Sequence, residues 1–209
     1  MPKQKFNELL AQKLIAGFER SGIEGHFCKS KEDVLGHVLQ LLPEGCVVSC
    51  GGSATLHEIG LREALKSGDY RFLDPGARGD GQGAAEKDAI AHQALAADYY
   101  LMGCNAIAET GELVNADGYG NRIASLIFGP KNVIVVAGMN KVEPTLDAAI
   151  ARATRYAASL VLLEFKADHA SLADLTQAAE EIRGHLLVTR MSTTKGRIKV
   201  VLVGESLGY

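Results

Sequence analysis

Two short polar segments carry most of the residues whose types and spacing could do chemistry. The first, residues 51–55, holds Gly51, Gly52, Ser53 and Thr55 between an apolar run and a helical pattern. Glycines let the backbone approach a ligand, free N–H groups at a helix start favour an anion, and the two hydroxyls add donors. An ordinary strand–helix turn with a capping serine fits the same residues. The segment matches neither the P-loop nor the dinucleotide-binding glycine pattern.

The second polar segment, residues 105–122, lies between two apolar runs and is rich in amide, acidic and glycine residues. Glu109 follows a predicted strand, where a carboxylate can act as nucleophile or general base, or cap a turn. Arg122 can clamp an anion with two hydrogen bonds or form a surface ion pair. Asn105 and Asn121 are typical turn formers that can also bind ligand amides or hydroxyls.

Lys141 is a further cation that can approach the same edge of the predicted sheet. Lys141 comes three residues after Gly138, beyond the next predicted strand, and a ligand role and a helix-start or solvent role are equally consistent with that position. The six histidines show no metal-binding spacing, so the sequence predicts no metal site and assigns no cofactor.

The elements that must position these residues alternate along the chain. Apolar runs alternate with helical periodicity, which predicts an α/β fold with a doubly wound, mostly parallel sheet. We expect ligands beyond the carboxyl ends of its strands. We interpret residues 1–209 as one domain, in which residues 1–43 are an N-terminal helical extension that packs on the sheet. Predicted strands are residues 25–28, 46–50, 70–73, 98–104, 131–137 and 160–165, with a closing hairpin of 186–191 and 197–203.

Bulk properties exclude several classes of protein. The 209 residues carry a net charge of −3 with no dense basic stripe, which argues against nucleic-acid binding. No apolar run reaches the roughly 20 residues that span a bilayer, and no secretion signal is evident, so we expect a cytoplasmic protein with reduced thiols at its four cysteines. Residues 75–83 are glycine-rich and predict a surface loop, either a plain connection or a lid over the site.

Four motifs in order resemble the lactate-utilisation (LUD) domain family. They are Gly51-Gly-Ser-Ala-Thr-Leu-His-Glu-Ile-Gly-Leu61, Asn105-Ala-Ile-Ala-Glu-Thr-Gly-Glu-Leu-Val-Asn115 with Gly120-Asn-Arg122, the run 129–141, and the ending 196–209. Together they cover nearly the whole chain.

The resemblance implies a fold like that of the sugar-phosphate isomerase and CoA-transferase group, with ligands at strand ends. It implies a part in oxidation of lactate to pyruvate beside iron–sulfur partner proteins. Similar proteins often carry cysteines in the interval that corresponds to residues 159–192, and this chain has none there. A metal role resting on those cysteines therefore does not apply, and the place in a lactate electron-transfer complex is put in doubt.

We expect a protein that binds an anionic metabolite, a phosphate or a carboxylate, as a non-redox subunit in lactate or organic-acid utilisation. One alternative is a stand-alone CoA transferase or 5-formyltetrahydrofolate cyclo-ligase-like enzyme with Glu109 as its reactive group. Another is a non-catalytic scaffold or regulatory protein. The amphipathic N-terminal helix packs on its own sheet or on another subunit, and a homodimer would follow from the latter.

Overall fold

The computed structural model describes residues 2–75, 83–165, 171–181 and 184–209, and its central feature is a parallel six-stranded sheet. Every neighbouring pair in this sheet is parallel, as the alternation of strand and helix patterns predicts, so the expected α/β fold class is confirmed. The strands are β1 (Glu24–Cys28), β2 (Val47–Cys50), β3 (Arg71–Leu73), β4 (Tyr99–Gly103), β7 (Asn132–Gly138) and β10 (Ile198–Val203), in the order β1-β10-β7-β4-β2-β3.

A smaller sheet of four strands lies beside the first. Its strands are β5 (Ala106–Ala108), β6 (Leu113–Asp117), β8 (Val142–Glu143) and β9 (His185–Thr189), in the order β8-β5-β6-β9. β5 and β6 form an antiparallel hairpin, and β9 adds antiparallel to β6. The polar segment 105–122 is therefore mostly a buried hairpin instead of the loop that its composition suggests.

Helices connect the strands and cover both faces. Ser53 and Thr145 accept hydrogen bonds from the backbone three residues on, which is how small hydroxyl residues start helices. A 3-10 turn (Met139–Lys141) follows β7, and a π-helical segment (Arg152–Ala157) joins two helices. The helices are α1 (Pro2–Arg20), α2 (Lys31–Gln40), α3 (Ala54–Glu58), α4 (Leu61–Ser67), α5 (Ala84–Ala94), α6 (Asn121–Ile127), α7 (Leu146–Ala151), α8 (Ala158–Phe165) and α9 (Leu172–Glu181).

The larger sheet is buried on both faces, which explains its continuous apolar strands. Along β7, Val133 and Val135 point into a core shared with α1 and the smaller sheet, whereas Ile134 and Val136 point into a core shared with α2, α3 and α4. The outer face of the smaller sheet packs against alanines of α7 and the π-helical segment. The ends of β2 and β4 thus lie where the two sheets and α3 meet.

Three expectations about elements are wrong. Residues 160–165, predicted as a strand, belong to α8, where Leu162 packs against Leu175 of α9. The predicted closing hairpin does not form, because β9 belongs to the smaller sheet and β10 pairs with β1 and β7 in the larger one. Residues 1–43 are not only a helical extension, since β1 is an edge strand of the larger sheet.

Three further expectations concern the glycine-rich loop, the cysteines and membrane-spanning segments. In the predicted glycine-rich loop, residues 76–82 lie outside the described residues. The four cysteines are free thiols. No helix in the described parts of the chain is both long and apolar enough to cross a bilayer.

Candidate functional site

The two polar segments meet at the carboxyl end of β2. A Cβ atom placed on Gly51 would lie 2.8 Å from both Cγ and Cδ of Arg122 and 3.1 Å from the Tyr100 hydroxyl. Only glycine allows this approach, because any larger side chain would occupy the space of the arginine stem. Gly51 and Arg122, which belong to different polar segments, therefore lie side by side.

Arg122 is held in place by the end of β6. Its Nε lies 3.2 Å from Oδ2 of Asp117, and a terminal nitrogen donates to the Ala116 carbonyl at 2.7 Å. The same Asp117 carboxylate accepts the backbone N–H groups of Tyr119, Gly120 and Arg122. Asp117 thus fixes both the turn into α6 and the direction of the arginine, whose side chain stays partly exposed.

The hydroxyl residues of the first segment face the end of β4 and a buried lysine. Ser53 caps α3. Its Oγ would lie 2.8 Å from a Cβ atom placed on Gly103, at the end of β4. Thr55 is buried, and its hydroxyl accepts a hydrogen bond of 2.7 Å from Nζ of Lys141. Gly52 is exposed, with open space above it.

Lys141 is the most unusual residue of the site, because its side chain is only 2% exposed. Within the described parts of the chain, Nζ has the Thr55 hydroxyl as its hydrogen-bond partner and no carboxylate at ion-pair distance. Burial is the main reason that the pKa of Lys141 falls from its ordinary 10.5 to about 8; the nearby charges of Arg152 and Arg122 also lower it, while Cys104 and the Glu58 carboxylate act in the opposite direction. A buried ammonium without a counter-ion is costly, so the free protein holds a positive charge that an anion would neutralise.

A second buried cation approaches from the π-helical segment. Arg152 donates to the Asn105 carbonyl at 2.5 Å, and its Nε lies 3.6 Å from Oε1 of Glu143. Its guanidinium also lies 5.2 Å from the centre of the Tyr156 ring. Burial lowers the pKa of Arg152, but a guanidinium stays charged in proteins.

The same three cations act electrostatically on the thiol of Cys104. Burial raises the pKa of this fully buried cysteine, although Lys141, Arg152 and Arg122 act against that effect. The thiol is therefore neutral and does not balance the charge of Lys141, whereas Arg122 and Arg152 are paired with Asp117 and Glu143. Such a place can hold an anion, and an amine with a pKa near 8 can also exchange a proton close to neutral pH.

Three of the predicted site residues have other or less direct roles. The Oδ1 of Asn105 accepts from the Ala116 backbone N–H at 3.0 Å, which ties the two hairpin strands together. Asn121 is the first residue of α6, and its carbonyl accepts the Ser125 hydroxyl. Glu109 lies at the far end of β5 from Asn105, where its carboxylate pairs with Lys13 of α1 at 2.7 Å. The structure therefore does not bring Glu109 to Lys141.

The segment around Gly208 covers the site, and the sequence did not indicate this role. Gly208 adopts a φ of +59° and lies so close to Thr55 and Lys141 that a Cβ would be 3.2 Å from the lysine Nζ. Asn140 holds this segment by accepting from the Leu207 N–H and donating to the Gly208 carbonyl. Arg152, also missed, gives one sequence signal, since it is a charged residue among the alanines of an inward helical face.

An open cavity of about 540 Å³ lies elsewhere, between the end of β1 and α2. Since none of its lining residues belongs to the two polar segments, it is separate from the cluster around Lys141. It is lined by Phe27, Cys28, Lys29, Glu32, Asp33, Gly36, His37 and Gln40. Among the described residues, no group of histidine, cysteine and acidic side chains is arranged to hold a metal ion.

Comparison with known proteins identifies the family. The LUD domain model matches residues 11–203, so the chain belongs to the LUD domain family. A crystal structure of a DUF162 family protein from Deinococcus radiodurans is 16% identical, with a TM-score of 0.56, over 94% of this chain and 98% of that one. It shares the fold. Ribose 5-phosphate isomerase A from Neisseria gonorrhoeae is 12% identical over 83% of this chain and 91% of its own, and its TM-score of 0.41 supports no inference. No functionally curated protein matches the chain.

Proposed function

We propose that this member of the LUD domain family binds a small anionic metabolite, a carboxylate or a phosphate. We place the anion at the strand ends beside the pair of Lys141 and Thr55, with Ser53, Arg122 and Arg152 as further ligand-binding residues. The observation that carries the proposal is the buried ammonium of Lys141, which has a hydroxyl for a partner and, among the described residues, no carboxylate at ion-pair distance; Glu58 acts on it only from farther away.

The energetics favour an anion at this place over a structural role for the lysine. Lowering the pKa of Lys141 from 10.5 to about 8 corresponds to about 3 kcal/mol of unfavourable free energy in the charged folded state. A bound anion would remove most of that penalty and would also interact with the two guanidinium groups. Part of the binding energy is therefore stored in the free protein as an unpaired charge.

The role that we propose is organic-acid utilisation, of the lactate type, by a subunit without redox chemistry of its own. Membership of the LUD domain family supports the general role. The interval 159–192 contains no cysteine, so in an oxidation the two electrons released by the substrate would pass to iron–sulfur partner proteins. A homodimer through α1 is a further proposal, which the subunit number would test.

No geometric observation favours the acyl-transfer or ligase alternative. Its reactive residue would be Glu109, but that carboxylate pairs with Lys13 at the other end of the hairpin. We propose no catalytic role for Glu109, and the scaffold alternative likewise has no contact that favours it.

Native mass spectrometry and thermal unfolding test the proposal together. We expect an anion to co-purify, or phosphate or propanoate to raise the melting temperature of the protein, and we expect Lys141→Met to abolish both effects. Lys199→Met is a matched control, because Lys199 already has Glu24 at 3.4 Å and the Gly196 carbonyl at 2.6 Å as partners. The proposal is overturned if phosphate or propanoate raises the melting temperature of Lys141→Met as much as that of the wild type.

A further inference from the structure

The amide of Asn115 is buried without any hydrogen bond, and it faces the same site. Its side chain is 1% exposed, and among the described residues neither Nδ2 nor Oδ1 has a hydrogen-bond partner. An amide that loses water without gaining a partner costs about 1–3 kcal/mol. Native proteins seldom keep such groups, so an unpartnered pair of amide atoms needs a physical reason.

The register of the smaller sheet shows which way this amide points. Asn115 shares a face of β6 with Leu113, because side chains alternate along a strand, and it pairs across the sheet with Leu187. Both leucines pack into the core between the two sheets, the core that holds Tyr100 and Cys104. Asn115 therefore points toward the end of β4, not toward the helix on the other side of the smaller sheet.

Asn115 is also next to the arginine that the site uses. Asp117 lies two residues farther along the same strand face, about 7 Å away, and its carboxylate holds Arg122. The Tyr100 hydroxyl, buried on the facing strand, lies beside Ser125 and Arg122 but makes no hydrogen bond of ordinary geometry with the described residues. The Asn115 amide and the Tyr100 hydroxyl thus both lie on the side of the site that holds Arg122.

We infer that Asn115 is a specificity-determining residue of the proposed anion site, which recognises an uncharged polar group of the ligand. An amide offers a donor and an acceptor side by side. A ligand that presents an acceptor and a donor on neighbouring atoms satisfies both, whereas a plain carboxylate bound to the cations has no donor for Oδ1. The site therefore selects hydroxylated anions. This inference rests on the proposed function, since it concerns the same ligand.

The test compares two three-carbon monoanions, glycerate and propanoate, which share a carboxylate and differ in hydroxyl groups. Titration calorimetry of the wild type should show that glycerate binds about tenfold more tightly, the effect of one or two well-made hydrogen bonds. In Asn115→Leu, which replaces the amide by an apolar group of similar volume, the two affinities should agree within about twofold, and propanoate should bind as it does to the wild type.

The free proteins give an independent readout. Asn115→Leu should melt at a higher temperature than the wild type, because it removes an unsatisfied amide. Asn140→Leu is the matched control and should melt lower, because both of its amide atoms are paired. A lower melting temperature for Asn115→Leu would overturn the inference, since it would mean that the amide has a structural partner such as a bound water.

The outcomes separate the inference from the proposed function. If propanoate binds and glycerate binds no better, the inference fails while the anion site stands, and this comparison needs only the wild type. If Asn115→Leu keeps the glycerate preference, the inference also fails. If neither carboxylate nor phosphate binds to the wild type or raises its melting temperature, the proposed function and the inference fail together; if phosphate alone does so, only the inference fails.

Discussion

Replacing Lys141 with methionine should make the free protein more stable, although it removes a buried hydrogen bond. At pH 7 the folded protein carries a charged Lys141 whose pKa is about 8 instead of 10.5, a penalty of about 3 kcal/mol. Methionine fills a similar volume without the charge. The lost hydrogen bond to Thr55 offsets about 1–2 kcal/mol, so the free energy of unfolding should rise by about 1–2 kcal/mol.

The stability gain predicted for Lys141→Met should change with pH in one direction, which can be measured. A lysine whose folded pKa is lowered destabilises the fold fully below that pKa, and the penalty disappears as the pH rises from about 8 toward 10.5, because the folded state releases its proton first. The stability advantage of Lys141→Met over the wild type should therefore be largest at pH 7 and shrink between pH 8 and pH 10. Urea unfolding followed by circular dichroism at several pH values measures both quantities.

A control lysine separates this effect from a general gain on removing charge. Lys199 is also mostly buried, but Glu24 and the Gly196 carbonyl bind its ammonium, so Lys199→Met should lower the free energy of unfolding. If Lys141→Met loses as much stability as Lys199→Met at pH 7, the charge of Lys141 is already balanced in the free protein. That result would contradict the proposed anion site at Lys141.

Three further substitutions test the geometry around this lysine. Thr55→Val should lower the free energy of unfolding by about 1–3 kcal/mol in the wild type and by much less in the Lys141→Met background; equal losses in a urea double-mutant cycle would show that the two residues are not coupled. Gly51→Ala should displace Arg122 and weaken phosphate binding about tenfold by calorimetry, the effect of one charged contact, and unchanged affinity would show that Arg122 does not touch the anion. Asp117→Ala should cost about 2–3 kcal/mol in urea unfolding, since several N–H groups and a guanidinium lose their acceptor, and a loss no larger than that of an exposed carboxylate would contradict its role.

The fold class could be predicted from the sequence because strand burial leaves a strong signal. Runs such as 133–137 are apolar at every position, since both faces of the larger sheet are covered. The run 160–165 is apolar except for Glu164 but belongs to a helix that continues from α7, and a short apolar run does not distinguish these cases. The closing strands show a different limit, because the partner of β10 is decided by packing between distant segments and not by the short connection to β9.

The site could be predicted only where local pattern and position agreed. Gly51 and Arg122 lie in the two polar segments that the sequence singles out, and the structure brings them together. Lys141 allowed two interpretations in the sequence, and only its burial against Thr55 shows the unusual one. Glu109 has the right residue type but lies at the wrong end of a hairpin that the sequence analysis did not detect. Nothing local in the sequence indicates that the amide of Asn115 lacks a partner among the described residues.

The most direct test of the account is the pKa of Lys141 itself, measured with and without an anion. Carbon-13 NMR of the lysine ε-carbon, assigned with Lys141→Met, should show titration near 8 in the free protein. Saturating phosphate or glycerate should move that titration upward toward 10.5, because a bound negative charge favours the ammonium. Titration near 10.5 in the free protein, unchanged by any anion, would contradict the account.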